Sequence, residues 1–260
     1  MTPPGIVELP VDAAWAIGFV LAMCRMAAFM VASPITNRML PSTARIGVVV
    51  ALSIATVRPV ADMIEVGDLI GAVGINVVIG VALGWVSGLI LNLFGSAGAI
   101  VDLISGLSIA MVFDPVMGDM GGVFQRMFHL VAITLFVVTG GLSLLVGGLM
   151  ASVTLLPLDA SIAPDPGLTG LVIATTAQMF RSAVELALPI MGVLLLLELA
   201  LGLASRFAPQ ANVFLLGLPA KIFASITVVG SAWVLFPDAM ANAQATVMRN
   251  FEATLRGLGA

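Results

Sequence analysis

Apolar residues run through this chain in long blocks, broken by short polar or proline-bearing stretches. Measured against the roughly 20 residues that cross a bilayer, six blocks stand out. The first runs from about Ala13 to Ala32 and holds Arg25. The second, Ile46 to Val57, is short and bounded by Arg45 and Arg58. The third, Leu69 to Val101, is long and carries no charge. The fourth runs from Met127 to Leu156. The fifth, Leu168 to Ser205, is interrupted by Arg181, Glu185, Pro189 and Glu198. The sixth, Ile222 to Phe236, is short again. The pattern predicts an all-α chain with six candidate crossings. Two are too short, two too long, and charges sit inside others. An arginine at a helix centre costs about 2.5–3.5 kcal/mol on insertion scales. Such irregular blocks suit broken helices and hairpins packed against protein better than independent lipid-facing rods.

Composition agrees. The chain is 60% hydrophobic and 9% charged, against roughly 25% charged residues in a soluble domain. It cannot cover itself in water and reads as an integral membrane protein. The net charge of −4 is scattered, and no basic patch suggests nucleic acid. Cys24 and His129 are the lone residues of their types. They make no intrachain disulfide and no metal site of the His/Cys kind. The start, MTPPGIVELPVDAAW, has no basic region and does not read as a cleaved signal peptide, so the first block is expected to remain a membrane helix. Arg38 and Arg45, then Arg206 and Lys221, alternate with the acidic loops of Asp62, Glu65 and Asp68, and of Asp159 and Asp165. Basic loops favour the cytoplasm, which places both termini outside in a six-pass arrangement. Arg249 and Arg256 count against that placement of the C-terminus.

Within the blocks, Gly80, Gly84 and Gly88 recur every four residues. One helix face is thereby stripped to backbone, and a second helix, internal or from another subunit, can approach closely. Asp114-Pro115 predicts a break, because a residue before proline avoids the helical region. Met111, Phe113 and Met117 cluster around it. Arg181 and Glu185 share a helical face, as do Glu198 and Arg206; pairing would make such charges tolerable. A proton relay through the carboxylates is the competing reading. Around Lys221, the only lysine, Pro209 and Pro219 block a straight helix, and Gln210 and Asn212 add amides that lipid could not satisfy. The stretch predicts a packed corner. No catalytic constellation and no phosphate-binding GxxxxGK[ST] loop is present, and no cofactor is implied.

Three stretches carry a family resemblance: LPSTARIGVVVALSIATVRP (Leu40 to Pro59), FGSAGAIVDLISGLSIAMVFDPVMG (Phe94 to Gly118) and RFAPQANVFLLGLPAKI (Arg206 to Ile222). The chain resembles the FliR family of flagellar export membrane proteins and their type III secretion relatives. One departure is visible: many members carry histidine where this chain reads GGLSLL, Gly140 to Leu145. The resemblance implies a helical export-gate subunit of the bacterial inner membrane and flagellar basal body. It implies a FliP-like part, about residues 1–160, fused to a FliQ-like part, about 161–260. It also implies partners resembling FliP, FliQ and FlhB, unfolded exported proteins as transient substrates, and no reaction of its own. An apolar pore constriction is expected from Met111, Phe113 and Met117. The homologous injectisome subunit is the near alternative. A small-molecule secondary transporter, which should show inverted repeats, is the distant one.

Overall fold

The computed structural model describes residues 13–60, 66–108, 121–159, 168–207 and 213–259. Among them every regular element is helical: α1 (Ala13–Ala32), α2 (Pro34–Met39), α3 (Ser42–Thr56), α4 (Val66–Ser105), α5 (Val123–Val138), α6 (Gly141–Leu155), α7 (Leu168–Phe207), α8 (Val213–Ala232) and α9 (Phe236–Gly257), with a 3-10 turn at Trp233–Leu235 before α9. The chain is thus an all-α membrane protein. Four stretches are long and apolar enough to cross a bilayer: Ala13–Ala32, Asp68–Ser105, Thr169–Phe207 and Gly217–Gly257.

The punctuation is chemical. Pro34 opens α2 from its first turn, where a missing N–H costs nothing. Pro41 precedes α3, and Pro59 keeps Arg58 out of the helical region just after it. Gly106 ends α4 with φ +83°, a left-handed conformation that glycine adopts without steric cost.

Among the described residues, the six blocks do not fold as six separate helices of crossing length. The second block folds as α3, whose 15 residues span about 22 Å, short of a hydrocarbon core of about 30 Å. The fourth block is bent by 70° between α5 and α6, at Gly140, whose φ is +79°. The long third and fifth blocks stay unbroken: α4 and α7 have 40 residues each, about 60 Å of helix.

Two compact units result, each assembled from separate stretches of chain. One comprises residues 1–88, 143–171 and 249–260. Leu21, Met26, Phe29, Ile79, Leu83, Leu149 and Val153 are buried in it. The other comprises residues 89–142 and 172–248. Its core holds Phe236 edge-on to Phe128, ring centroids 4.8 Å apart, and 5.8 Å from Phe94. Edge-to-face rings align the positive rim of one with the negative face of the other.

Candidate functional site

The first unit is seamed by glycines. A Cβ placed at Gly84 would lie 2.7 Å from the Ala32 Cβ and 2.9 Å from the Phe29 carbonyl oxygen. At Gly80 it would strike the Arg25 carbonyl oxygen and lie 2.8 Å from the Ala28 Cβ; at Gly88 it would lie 2.8 Å from the Pro34 ring. The neighbour of this α4 face is therefore α1 with the start of α2, within the same chain. By contrast, Gly71 and Gly74 have nothing within 4 Å of such a Cβ.

Arg25, which points from α1 at this seam, is fully buried. Its Nε donates to Asn76 Oδ1 at 2.8 Å, its Nη1 to the carbonyls of Ser152 (2.9 Å) and Leu156 (2.8 Å), and its Nη2 to that of Pro157 (3.3 Å). Asn76 in turn donates to the carbonyls of Ala72 and Leu158, each at 2.8 Å. These hydrogen bonds all go to neutral oxygens, most of them at the C-terminal end of α6. That end carries orphan carbonyls and a partial negative charge. The guanidinium thus caps α6 from another helix.

Asp102 of α4, in the second unit, does the converse. It is buried, and its Oδ1 accepts from the Phe124 N–H at 3.0 Å and its Oδ2 from the Gln125 N–H at 2.8 Å. These are orphan donors of the first turn of α5, where negative charge is favoured. Gly122, the residue at the N-cap position, has no side chain with which to cap. A Cβ there would coincide with the Asp102 carboxylate, so the glycine makes room for an acid supplied from elsewhere. Gln125 completes the arrangement by accepting from the Gly122 N–H at 3.2 Å. One turn earlier on α4, Gly98 lets α5 close in: a Cβ there would lie 2.6 Å from Gln125 Cα.

Of the two charge pairs expected in the C-terminal part, one forms and the other is exchanged. Arg181 and Glu185 meet at 2.9 Å on α7, both exposed. Glu198, expected opposite Arg206, instead makes its ion pair with Lys221 of α8 at 2.8 Å. Eight residues along one helix is about 12 Å, whereas the adjacent helix brings Lys221 alongside. The Lys221 side chain is 19% exposed and that of Glu198 56%. Pro219 also departs from expectation: it lies inside α8 rather than at a break. As the seventh residue of α8 it removes one intrahelical hydrogen bond and crowds the carbonyl four residues before it, a local cost that the helix carries without ending there. Leu218 beside it packs toward the end of α4, 2.8 Å from where a Gly106 Cβ would be.

Met111, Phe113, Asp114, Pro115 and Met117 lie outside the described residues, as do Pro209, Gln210 and Asn212. The described boundaries of the first group are the end of α4 and the start of α5, which Asp102 joins. The sequence marks Arg25 as a charge inside an apolar block but assigns a partner neither to it nor to Asp102. One signal was present: glycine three residues before Gln125 is half a capping box, with its acceptor missing.

The chain belongs to the bacterial export proteins, family 1, whose family model matches residues 16–247. It is a member of the FliR group. The flagellar biosynthetic protein FliR of Pectobacterium carotovorum subsp. carotovorum is 29% identical over 232 residues, 86% of this chain and 87% of that protein. FliR of Bacillus subtilis (strain 168) is 27% identical over 213 residues, 80% and 82% of the two chains. The surface presentation of antigens protein SpaR of Shigella sonnei is 30% identical over 156 residues, 59% of each.

Proposed function

We propose that this chain is a non-enzymatic subunit of the flagellar type III protein export gate in the bacterial inner membrane, within the basal body. It helps form and seal the path by which unfolded flagellar subunits leave the cytoplasm. The observation that carries this reading is membership of the export family across residues 16–247. A structural feature supports it. Helix α7 is about 60 Å long, yet exposes Leu188, Leu196 (68%), Leu199 and Phe207 (84%) along its second half and Phe180 along its first. A hydrocarbon core of about 30 Å covers half of such a helix. Protein must cover the remainder, and the exposed Arg181–Glu185 pair is better placed against protein or water than lipid. The partners of this reading are FliP-like, FliQ-like and FlhB-like subunits. The chain itself is a FliP-like part, about residues 1–160, continued by a FliQ-like part, about 161–260.

Sealing falls to Met111, Phe113 and Met117. A conduit wide enough for a polypeptide must not conduct ions when idle, and an apolar constriction closes by dewetting. The test is twofold. The chain should copurify with FliP- and FliQ-like proteins as one stable complex. Phe113→Ala should then assemble normally and admit ions across the inner membrane, read by an ion-sensitive dye. Absence of the complex overturns the gate reading; normal assembly with membranes as tight as wild type overturns the seal. The SpaR similarity keeps an injectisome subunit as the second reading. Loss of motility on deletion of the gene selects the flagellar branch, and unchanged motility the other.

A further inference from the structure

Exposed apolar side chains stop abruptly between α8 and α9. Phe223, Ile226, Trp233, Val234 and Leu235 are all exposed, Val234 at 80%. None of the described residues from Phe236 on exposes a large apolar side chain. The outer face of α9 carries Asp238, Asn242, Glu252 and Arg256 instead, with Met240, Val247, Phe251 and Leu255 buried behind it. Such a helix meets water on its outer face, whereas the outer face of α8 does not suit water. The turn between the two is braced. Trp233 stacks on Phe236, ring centroids 5.3 Å apart, and Phe236 is held in the aromatic core by Phe128 and Phe94. Trp233 is nevertheless 43% exposed. Tryptophan joins an apolar ring to one polar N–H, which suits the headgroup level of a bilayer.

Helix α7 marks the same level independently. Helix α8 runs back along it: Glu198 meets Lys221, and Leu201 lies 3.2 Å from where a Gly217 Cβ would be. Thirteen residues separate Glu198 from Glu185 (198 − 185) and Lys221 from Val234 (234 − 221), about 20 Å along each helix. The exposed Arg181–Glu185 pair thus stands level with the Trp233–Leu235 turn. In the other direction, α7 carries no charge but the paired Glu198 until Arg206. Residues 186 to 205 make about 30 Å of helix, the thickness of one hydrocarbon core, and Leu188, Leu196, Leu199 and Leu203 are exposed along it. The Glu198–Lys221 pair falls inside this length, where mutual pairing makes the two charges tolerable.

We propose that the bilayer covers α8 and residues 186–205 of α7, and that Trp233–Leu235 is an interfacial anchor seated among the lipid headgroups of one leaflet. Helix α9 and residues 172–185 of α7 then lie beyond that surface, on the same side. Lipid covers one half of α7, and the other half is left for water or protein. The inference stands on the geometry of α7, α8 and α9 and does not depend on the export reading. Failure of the export tests would leave the depths below unchanged.

The experiment reads depth in the full chain, within its assembled complex in phosphatidylcholine vesicles. In a Cys24→Ser background, Leu196→Cys, Val234→Cys and Ala241→Cys each carry a nitroxide. Power saturation compares oxygen, which concentrates in hydrocarbon, with a water-soluble nickel chelate. Leu196→Cys should meet oxygen and exclude nickel, Ala241→Cys should meet nickel, and Val234→Cys should fall between them at headgroup depth. A label at Val234→Cys as deep as that at Leu196→Cys overturns the boundary. One as wet as that at Ala241→Cys overturns the anchor. One shielded from both reagents shows that protein covers the turn, and overturns it too. Arginine substitutions decide the matter without labels. An arginine is accepted at headgroup level and costly at the bilayer centre. Membrane-inserted Val234→Arg should stay within about twofold of wild type, and Leu196→Arg should fall on the order of tenfold or more. Equal losses, or equal yields, at the two positions overturn the proposal.

Discussion

Arg25 and Asn76 meet side chain to side chain at 2.8 Å, 51 residues apart in sequence, and together they satisfy the carbonyls that end α6. A buried cation without a carboxylate partner would ordinarily be expensive. Here the helix end supplies three oxygens from the main chain, and Asn76 orients the guanidinium while donating to Leu158. Removing either side chain leaves buried polar atoms unpaired, at about 1–3 kcal/mol for each group.

Arg25 should therefore resist conservative replacement. Arg25→Lys keeps the charge but places its donors on one nitrogen, which cannot reach both Asn76 and the Ser152–Pro157 carbonyls in this planar fork geometry. The purified complex should lose thermal stability in Arg25→Lys and lose more in Arg25→Ala. Melting temperatures equal to wild type in both would show the network to be dispensable. Asn76→Leu should reproduce much of the Arg25→Ala loss, and the double variant should cost less than the sum.

The glycines of α4 divide by position. Gly84→Leu should force α1 away, because even a Cβ would sit 2.7 Å from that of Ala32. Overpacking of this kind typically costs about 1–3 kcal/mol, occasionally more, and complex yield and motility should both fall. Gly80→Leu and Gly88→Leu should behave alike. Gly74→Leu, with open space around it, should leave the fold of the chain intact. Equal tolerance at positions 74 and 84 would contradict the close approach of α1.

Glu198 and Lys221 offer a charge-exchange test. Glu198→Lys should place two ammonium groups together between α7 and α8 and lower the yield of assembled complex. Adding Lys221→Glu should recover most of that loss, because the pair is restored with its sense inverted. A proton-relay role for Glu198 predicts the opposite: Glu198→Gln would abolish export while leaving assembly intact. Export and assembly measured on the same samples separate the two.

The exposed apolar length of α7 predicts obligate assembly. Expressed alone, the chain should aggregate or be degraded, and coexpression with FliP- and FliQ-like subunits should restore a soluble detergent complex. A monodisperse lone protein that never joins such a complex would exclude the partner coverage argued for α7.

Much of this protein was legible in its residues. Apolar blocks with few charges require membrane helices, since no other arrangement satisfies backbone groups without water except a closed barrel. The spacing of Gly80, Gly84 and Gly88 announced a close helix contact, and the motifs around Asp114 and Lys221 announced the family. Those properties depend on composition and on periodicity along one helix, and both are local.

What the residues alone could not assign was partnership across distance. Nothing local to Arg25 indicates a helix end 127 residues away. Nothing local to Asp102 indicates that Gly122 and Gln125 leave a cap unfilled beside it. Glu198 was expected opposite Arg206 on its own helix, and only the adjacency of α8 chose Lys221. Pro219 was expected at a break and lies inside α8. Hydrophobic pattern determined that helices form and roughly where they stop. Tertiary structure decided which buried charge meets which helix end, because that choice depends on the position of orphan backbone groups, and these have no position until helices pack.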